Sequence, residues 1–237
     1  MPNNYFQFKQ FTVFQDKCAM KVCTDACLFG AVAASHQQPV GNCLDIGTGT
    51  GLLSLMIAQK NPLSIIDAVE IDAEAAKQAG QNFSASPWAD RINVINTDIL
   101  SLKTGKKYDL IISNPPFFED DLRSPDETKN NAKHDASLSL VQLLDFVKEH
   151  LDENGSFAVL LPYHRLTYFM DEAEKAGMHL TRQVLVKQTG KHDYFRGILF
   201  FSFVKTIPKL SEIIIKDNEG NYTPEFIDAL KDYYLYL

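Results

Sequence analysis

From residue 40 onward the chain alternates short apolar runs with amphipathic stretches, and that order admits few folds. Apolar runs at residues 43–46, 65–72, 92–95, 108–112 and 157–161 read as buried strands, the last stopped by Pro162. Between them, residues 52–60, 73–83 and 138–151 carry helical periodicity, the last of these closed by Asn154-Gly155 at the helix C-terminus. A further helix spans 165–176 and stops at Gly177. Strands that alternate with helices form a parallel sheet with helices on both faces. Two more strands, 182–187 and 197–204, follow one another without a helix and are expected to pair antiparallel. The expectation is an α/β fold with a mostly parallel seven-stranded sheet and an antiparallel last strand. It forms a single domain over 1–237, with a lead-in at 1–39, a core at 40–205 and a strand-and-helix tail at 206–237.

Two loops in this frame carry chemistry. Asp45-Ile46-Gly47-Thr48-Gly49-Thr50-Gly51 joins the first core strand to its helix, at the carboxyl end of the sheet where such folds bind ligands. Its glycines are spaced G-x-G-x-G, unlike the G-x-G-x-x-G of dinucleotide binders, and no Walker lysine accompanies them. The second strand ends in Glu70-Ile71-Asp72, where an acid meets ribose hydroxyls in nucleotide-binding α/β folds. Asp72 is well placed to cap the helix that follows, which leaves Glu70 for the ribose. The third strand ends in another acid, Asp98.

The second loop, Ser113-Asn114-Pro115-Pro116-Phe117-Phe118, follows the fourth strand. Two prolines in a row cannot continue a ladder, so the chain leaves the sheet in a fixed extended shape. That rigidity sets the Asn114 amide and the Pro115 carbonyl at the sheet's open end as two acceptors for an –NH2 group. Phe117 beside them offers a flat ring on which a base can stack.

Together these motifs resemble the Rossmann-like class I S-adenosyl-L-methionine-dependent methyltransferases, and Asn-Pro-Pro-Phe resembles the signature of those that methylate planar amino groups. The lead-in, Phe8-Lys9-Gln10-Phe11 with Met20-Lys21-Val22-Cys23-Thr24-Asp25, and the tail, Tyr222-Thr223-Pro224-Glu225-Phe226 with Lys231-Asp232-Tyr233-Tyr234-Leu235, are similar to the bacterial tRNA(Val) adenine-37 N6-methyltransferases. The resemblance implies a catalytic set of Asn114, Pro115, Pro116 and Phe117. It implies S-adenosyl-L-methionine held by Asp25, Asp45, Gly47, Gly49, Gly51, Glu70 and Asp98. It implies as partner a tRNA anticodon loop, whose adenine is flipped from its stack and methylated directly.

Composition enters as a test of that implication. The 237 residues carry 23 Lys and Arg against 30 Asp and Glu, a net charge of −7, and an acidic balance weighs against nucleic acid. Distribution weighs the other way. Arg123, Lys129, Lys133 and His134 follow the proline loop, Lys191 and Arg196 lie in the late hairpin, and these are the expected RNA contacts. Lys9, Lys17 and Lys21 are further candidates in the lead-in, whereas Glu119-Asp120-Asp121 would repel phosphate. No run approaches the ~18–20 apolar residues of a membrane span. The start lacks the pattern of a signal peptide. The four cysteines follow no usual zinc spacing, so reduced thiols, a cytoplasmic location and no metal are expected. The rival readings are a methyltransferase of ribosomal RNA bases or of a protein glutamine amide, a non-catalytic cofactor-binding module, and an NAD oxidoreductase. The last lacks the required glycine spacing.

Overall fold

The computed structural model describes residues 3–18, 20–35, 40–115 and 138–237. A short hairpin, β1 (Tyr5–Gln7) and β2 (Thr12–Phe14), leads into helix α1 (Thr24–Ala34). The core then alternates β3 (Asn42–Ile46), α2 (Leu52–Lys60), β4 (Ile65–Glu70), α3 (Ala73–Ser84), β5 (Ile92–Asn96) and β6 (Tyr108–Ser113). After residue 137 come α4 (Leu140–His150), β7 (Leu151–Pro162), α5 (Leu166–Lys175), β8 (His179–Thr189), β9 (Tyr194–Ser202), β10 (Lys209–Lys216) and α6 (Pro224–Leu230).

Among these residues the main sheet has eight strands in the order β10-β8-β9-β7-β6-β3-β4-β5. The count corrects the expected seven: the tail strand joins the sheet at its edge, parallel to β8. The antiparallel strand is β9, inserted between β7 and β8 and antiparallel to both. The five strands β3 to β7 are mutually parallel where they pair.

Side chains that alternate along a strand point to opposite faces, and here the alternation divides the core in two. Cys43, Leu110, Ile112, Ala158 and Leu160 face a layer built by α1, α2, Phe83 of α3 and Phe226 of α6. Leu44, Ile46, Ile111, Phe157, Val159 and Leu161 face the other, built by Leu143 and Val147 of α4 and Phe169 of α5. Every residue from Ala26 to Ala34 is buried, because α1 is enclosed all round. Gly30 permits its close approach to α2, since a Cβ there would lie 2.4 Å from Met56 Sδ.

One helix boundary differs from expectation. Helix α4 starts at a Ser139–Gln142 capping box and ends at His150, not at Asn154-Gly155. That pair lies inside β7, where the register against β6 jumps from Tyr108–Leu151 to Leu110–Ser156. The extra residues bulge out, and Gly155 fits because a Cβ would meet Tyr108 O at 2.8 Å. Among the described residues no helix is long and apolar enough to cross a membrane.

Candidate active site

The sheet changes direction between β3 and β6: β4 and β5 extend it one way from β3, β7 the other way from β6. Ligand crevices form at the carboxyl ends of the strands that flank such a switch. Register sets the tips in one row, with Ile46 beside both Val69 and Ser113, and Glu70 beside Asn96. The Ser113 hydroxyl donates to Ile46 O at 3.0 Å, locking the two central tips together.

From Ile46 the glycine loop turns over the crevice. Gly47, Gly49 and Gly51 have φ of +72°, +54° and +83°, the left-handed region that glycine tolerates. A Cβ on Gly47 or Gly49 would meet nothing within 4 Å, so the backbone there borders open space. Gly51 begins α2 against Phe83 and serves packing. Asp45 is fully buried beneath the loop, and its Oδ2 accepts from Thr48 Oγ1 and Ser54 Oγ, both at 2.7 Å. Burial pushes its carboxyl up to about 6, less than it would without those two hydroxyls. Its Oδ1 is buried and has no partner among the described residues.

Glu70 is half-buried, and its carboxylate is tied to backbone on both sides. Oε2 accepts from Gly49 N at 2.8 Å and Oε1 from Asp72 N at 3.0 Å. Asp72 caps α3 as expected, accepting from Ala75 N at 2.8 Å. Asp98 is exposed beyond β5 and accepts from Leu100 N at 2.9 Å, capping a short turn. Across the switch, Pro115 is buried and Asn114 half-buried, with Asn114 Oδ1 buried and unpartnered among the described residues. Unsatisfied buried acceptors are costly unless something donates to them. The two here lie at the tips of adjacent strands, on either side of the crevice.

The remaining expected residues divide into three groups. Asp25, at the start of α1, meets Arg196 of β9, whose Nε donates to Asp25 Oδ2 at 2.8 Å. Lys191 is exposed in the turn from β8 to β9. Pro116, Phe117, Arg123, Lys129, Lys133 and His134 lie outside the described residues. Lys9 sits away from the crevice, at the far end of α2: its Nζ donates to Leu237 O at 2.9 Å, and Lys60 and Gln59 hold the neighbouring Asp232. Lysines of the lead-in therefore do not share one mouth.

Sequence reading missed the polar residues that dock the lead-in over the loop. Asn82 of α3 accepts from Phe14 N and donates to Phe14 O and to Thr50 O, at 2.8–2.9 Å. Gln78 accepts from Lys17 N at 2.9 Å and donates to Asp16 Oδ1 at 2.7 Å, while Gln15 accepts from Val22 N at 2.8 Å. Cys18 is carried beside the acids of β4: burial first, then Glu70 and Asp72, push its thiol up to about 11. Among the described residues no group of three or more His, Cys, Asp or Glu is disposed to hold a metal ion.

A family model described as "Methyltransferase small domain" matches residues 28–168. Over 99% of each chain the sequence is 43% identical to a tRNA1(Val) (adenine(37)-N6)-methyltransferase of Dyadobacter fermentans. It is 42% identical to the protein of the same description from Bacteroides fragilis, again over 99% of each. Among solved structures, a predicted O-methyltransferase from Agrobacterium tumefaciens superposes with a TM-score of 0.64 over 87% of this chain and 95% of that one. At 14% identity that likeness speaks for the fold alone.

Proposed function

The chain belongs to the tRNA1(Val) (adenine(37)-N6)-methyltransferase family, and on that premise we propose that it transfers a methyl group from S-adenosyl-L-methionine to N6 of adenine 37 in the anticodon loop of tRNA(Val). The observation that carries the reading is Asn114 Oδ1 at the tip of β6, buried and without a partner among the described residues, across the switch from Asp45 Oδ1, which likewise has none among them. One suits a substrate amino group, the other the amino group of the cofactor's methionine half.

The cofactor supplies an electrophilic methyl on a sulfonium sulfur. Gly47 and Gly49 present bare backbone to its methionine half, and the ionised Asp45 takes its ammonium group. Glu70 receives the ribose hydroxyls: each carboxylate oxygen keeps a lone pair beyond the one its backbone N–H uses. Asp98 receives the adenine amino group. Asp25 closes the N-terminal side.

On the substrate side, N6 of adenine is a weak nucleophile because its lone pair is delocalised into the ring. Asn114 Oδ1 and the Pro115 carbonyl accept its two hydrogens, favour a more pyramidal nitrogen, and aim it at the methyl carbon. Holding the two reactants in line contributes several kcal/mol without a covalent intermediate. With the cofactor bound, its sulfonium would give up the methyl to N6 and keep the electron pair of the broken C–S bond, and the proton on N6 would pass to water. Pro116 stiffens the loop and Phe117 stacks on the flipped base. Arg123, Lys129, Lys133, His134 and Lys191 hold RNA phosphates around it. The activity is set in the cytoplasm, with a tRNA substrate.

Tritiated S-adenosyl-L-methionine incubated with total tRNA, ribosomal RNA and a release-factor protein tests this directly. Label is expected in tRNA only, mapping to position 37 of tRNA(Val). Label confined to ribosomal RNA or protein overturns the substrate, and label in none overturns the enzyme.

A further inference from the structure

Just past the active-site tips β7 ends at Pro162, and the turn, helix and strand around that end carry aromatic residues that the reaction above does not use. Ser113 is in register with Val159, so Asn114 lies level with Leu160, two residues before β7 ends at Pro162, and Tyr163 opens the turn that follows. At about 3.3 Å per residue and about 4.8 Å between strands, that puts the end of β7 about 8 Å from Asn114, with Tyr163 the next residue.

Tyr163 is 44% exposed and packs against Tyr194 of β9 with ring centroids 5.3 Å apart. Lys187 Nζ lies over the Tyr194 ring at 4.2 Å from its centroid. On the helix that follows Tyr163 by one turn of chain, Tyr168 is 45% exposed, with the Arg165 guanidinium 5.1 Å from its ring centroid. Exposed rings paired with cations, continuous with a crevice that takes a base, are the composition of surfaces that bind single-stranded nucleic acid. A protein-docking face would be expected to offer an aliphatic centre, and this one offers tyrosines and charges. Glu212, the carboxylate bonded to this surface at Tyr194, is engaged: it accepts from Tyr194 Oη at 2.7 Å and lies 3.8 Å from Lys187.

We propose that Tyr163, Tyr194 and Tyr168, with Lys187 and Arg165, form a stacking platform for the unpaired nucleotides that flank the flipped adenine. The proposal rests on the RNA substrate proposed above and adds where its neighbouring nucleotides lie. Stacking tolerates any base, so the platform holds the loop while Asn114 and Pro115 select the amino group.

The test is fluorescence anisotropy with a labelled anticodon stem-loop RNA of tRNA(Val), with S-adenosylhomocysteine present so that nothing turns over. Tyr163→Ala and Tyr168→Ala are each expected to raise the RNA Kd about tenfold, within the range measured for loss of one stacked base. Tyr163→Phe should keep parental affinity, because the ring and not the hydroxyl makes the contact. Affinity for S-adenosylhomocysteine alone should be the same in all four proteins. If both alanine variants bind RNA as the parent does, and the parent methylates tRNA, the platform is wrong and the substrate stands. If the parent neither binds nor methylates RNA, the substrate reading falls and the platform with it.

Discussion

Arg196 Nε donates to Asp25 Oδ2 at 2.8 Å, joining β9 to the start of α1 across 171 residues of sequence, at the carboxyl end of the sheet. The side chains are only 26% and 12% exposed, so the pair is shielded from salt. Breaking such a pair from one side leaves the other charge poorly solvated. Arg196→Ala and Asp25→Ala are each expected to cost about 1–3 kcal/mol in urea denaturation, and the double variant clearly less than their sum. Single variants that add to within about 0.3 kcal/mol would show that the two residues do not depend on each other. We propose that Arg196 acts on the site through α1 by this pair, beside the RNA contact expected of it from sequence.

Asp45 sets a pH dependence opposite to that of most carboxylates. Its ordinary value of 3.8 is raised by burial to about 6 in the folded, ligand-free protein. The folded chain thus holds a proton that the unfolded chain releases. The associated stability is fully present below about pH 4 and lost as pH rises through about 6, a change of roughly 3 kcal/mol. Exposed carboxylates with lowered values, Glu174 and Asp217 among them, work the other way but only at more acid pH. Denaturation midpoints should therefore rise on going from pH 7 to pH 5. A cationic ligand favours the ionised form, so cofactor affinity should fall below pH 6 and binding near pH 6 should release a proton. Calorimetry in buffers of different ionisation enthalpy reads that proton. A parent whose cofactor affinity is as flat with pH as that of Asp45→Asn would remove Asp45 from the site.

Two glycines of the same loop separate packing from ligand approach. Gly51 has φ +83°, and a Cβ would stand 2.3 Å from Phe83 Cε1. Gly51→Ala combines left-handed strain with overpacking and should cost about 2–5 kcal/mol. Gly47 has φ +72° but open space around its Cβ. Gly47→Ala should cost only about 1–2 kcal/mol of stability. Its larger effect should be on cofactor titrations, with affinity down about tenfold or more. Equal stability losses in the two variants would contradict the assignment.

What the sequence disclosed and what it hid have separate physical causes. Strands β3 to β7 were legible because buried parallel strands are written as contiguous apolar runs, and the place of Asp45, Glu70, Asp98 and Asn114 at the strand tips followed from where those runs end. The edge was not: β10 carries Leu210 69% exposed and reads as tail until its register with β8 is seen. Asn154-Gly155 misled because the pair that ends a helix also accommodates a bulge. The residues docking the lead-in stayed hidden because their partners are 60 to 70 positions away: Phe14 to Asn82 spans 68, and Lys17 to Gln78 spans 61. Such polar pairing leaves no local periodicity.

Asn82 follows from that hidden layer. It is 1% exposed and makes three bonds to backbone, two to Phe14 of β2 and one to Thr50 of the glycine loop. Asn82→Ala leaves those backbone groups unpaired in the interior and should cost about 2–4 kcal/mol. The lead-in should become cleavable by protease ahead of residue 24, and cofactor affinity should drop with it. Unchanged proteolysis would mean that the aromatic contacts, Phe11 on Trp88 and Phe8 on Tyr234 among them, hold the lead-in without Asn82.

Asn114 is the residue on which the chemistry turns. Its Oδ1 is buried and without a partner among the described residues, so it has an acceptor to offer. Removing it should not destabilise the protein. Asn114→Ala is expected to melt within about 2 °C of the parent, since deleting an unpaired buried polar atom relieves a cost and the small cavity offsets it. Cofactor affinity should stay within about threefold, because Asp45, Glu70 and the glycine loop remain. Methyl transfer should fall by about 10²–10³-fold or more, the scale lost with one group that stabilises a transition state. The loss should appear in kcat under saturating RNA, since the bonds to N6 tighten as the nitrogen becomes pyramidal. A variant that loses cofactor binding together with turnover would place Asn114 in the cofactor site, and one that keeps turnover would end its catalytic role.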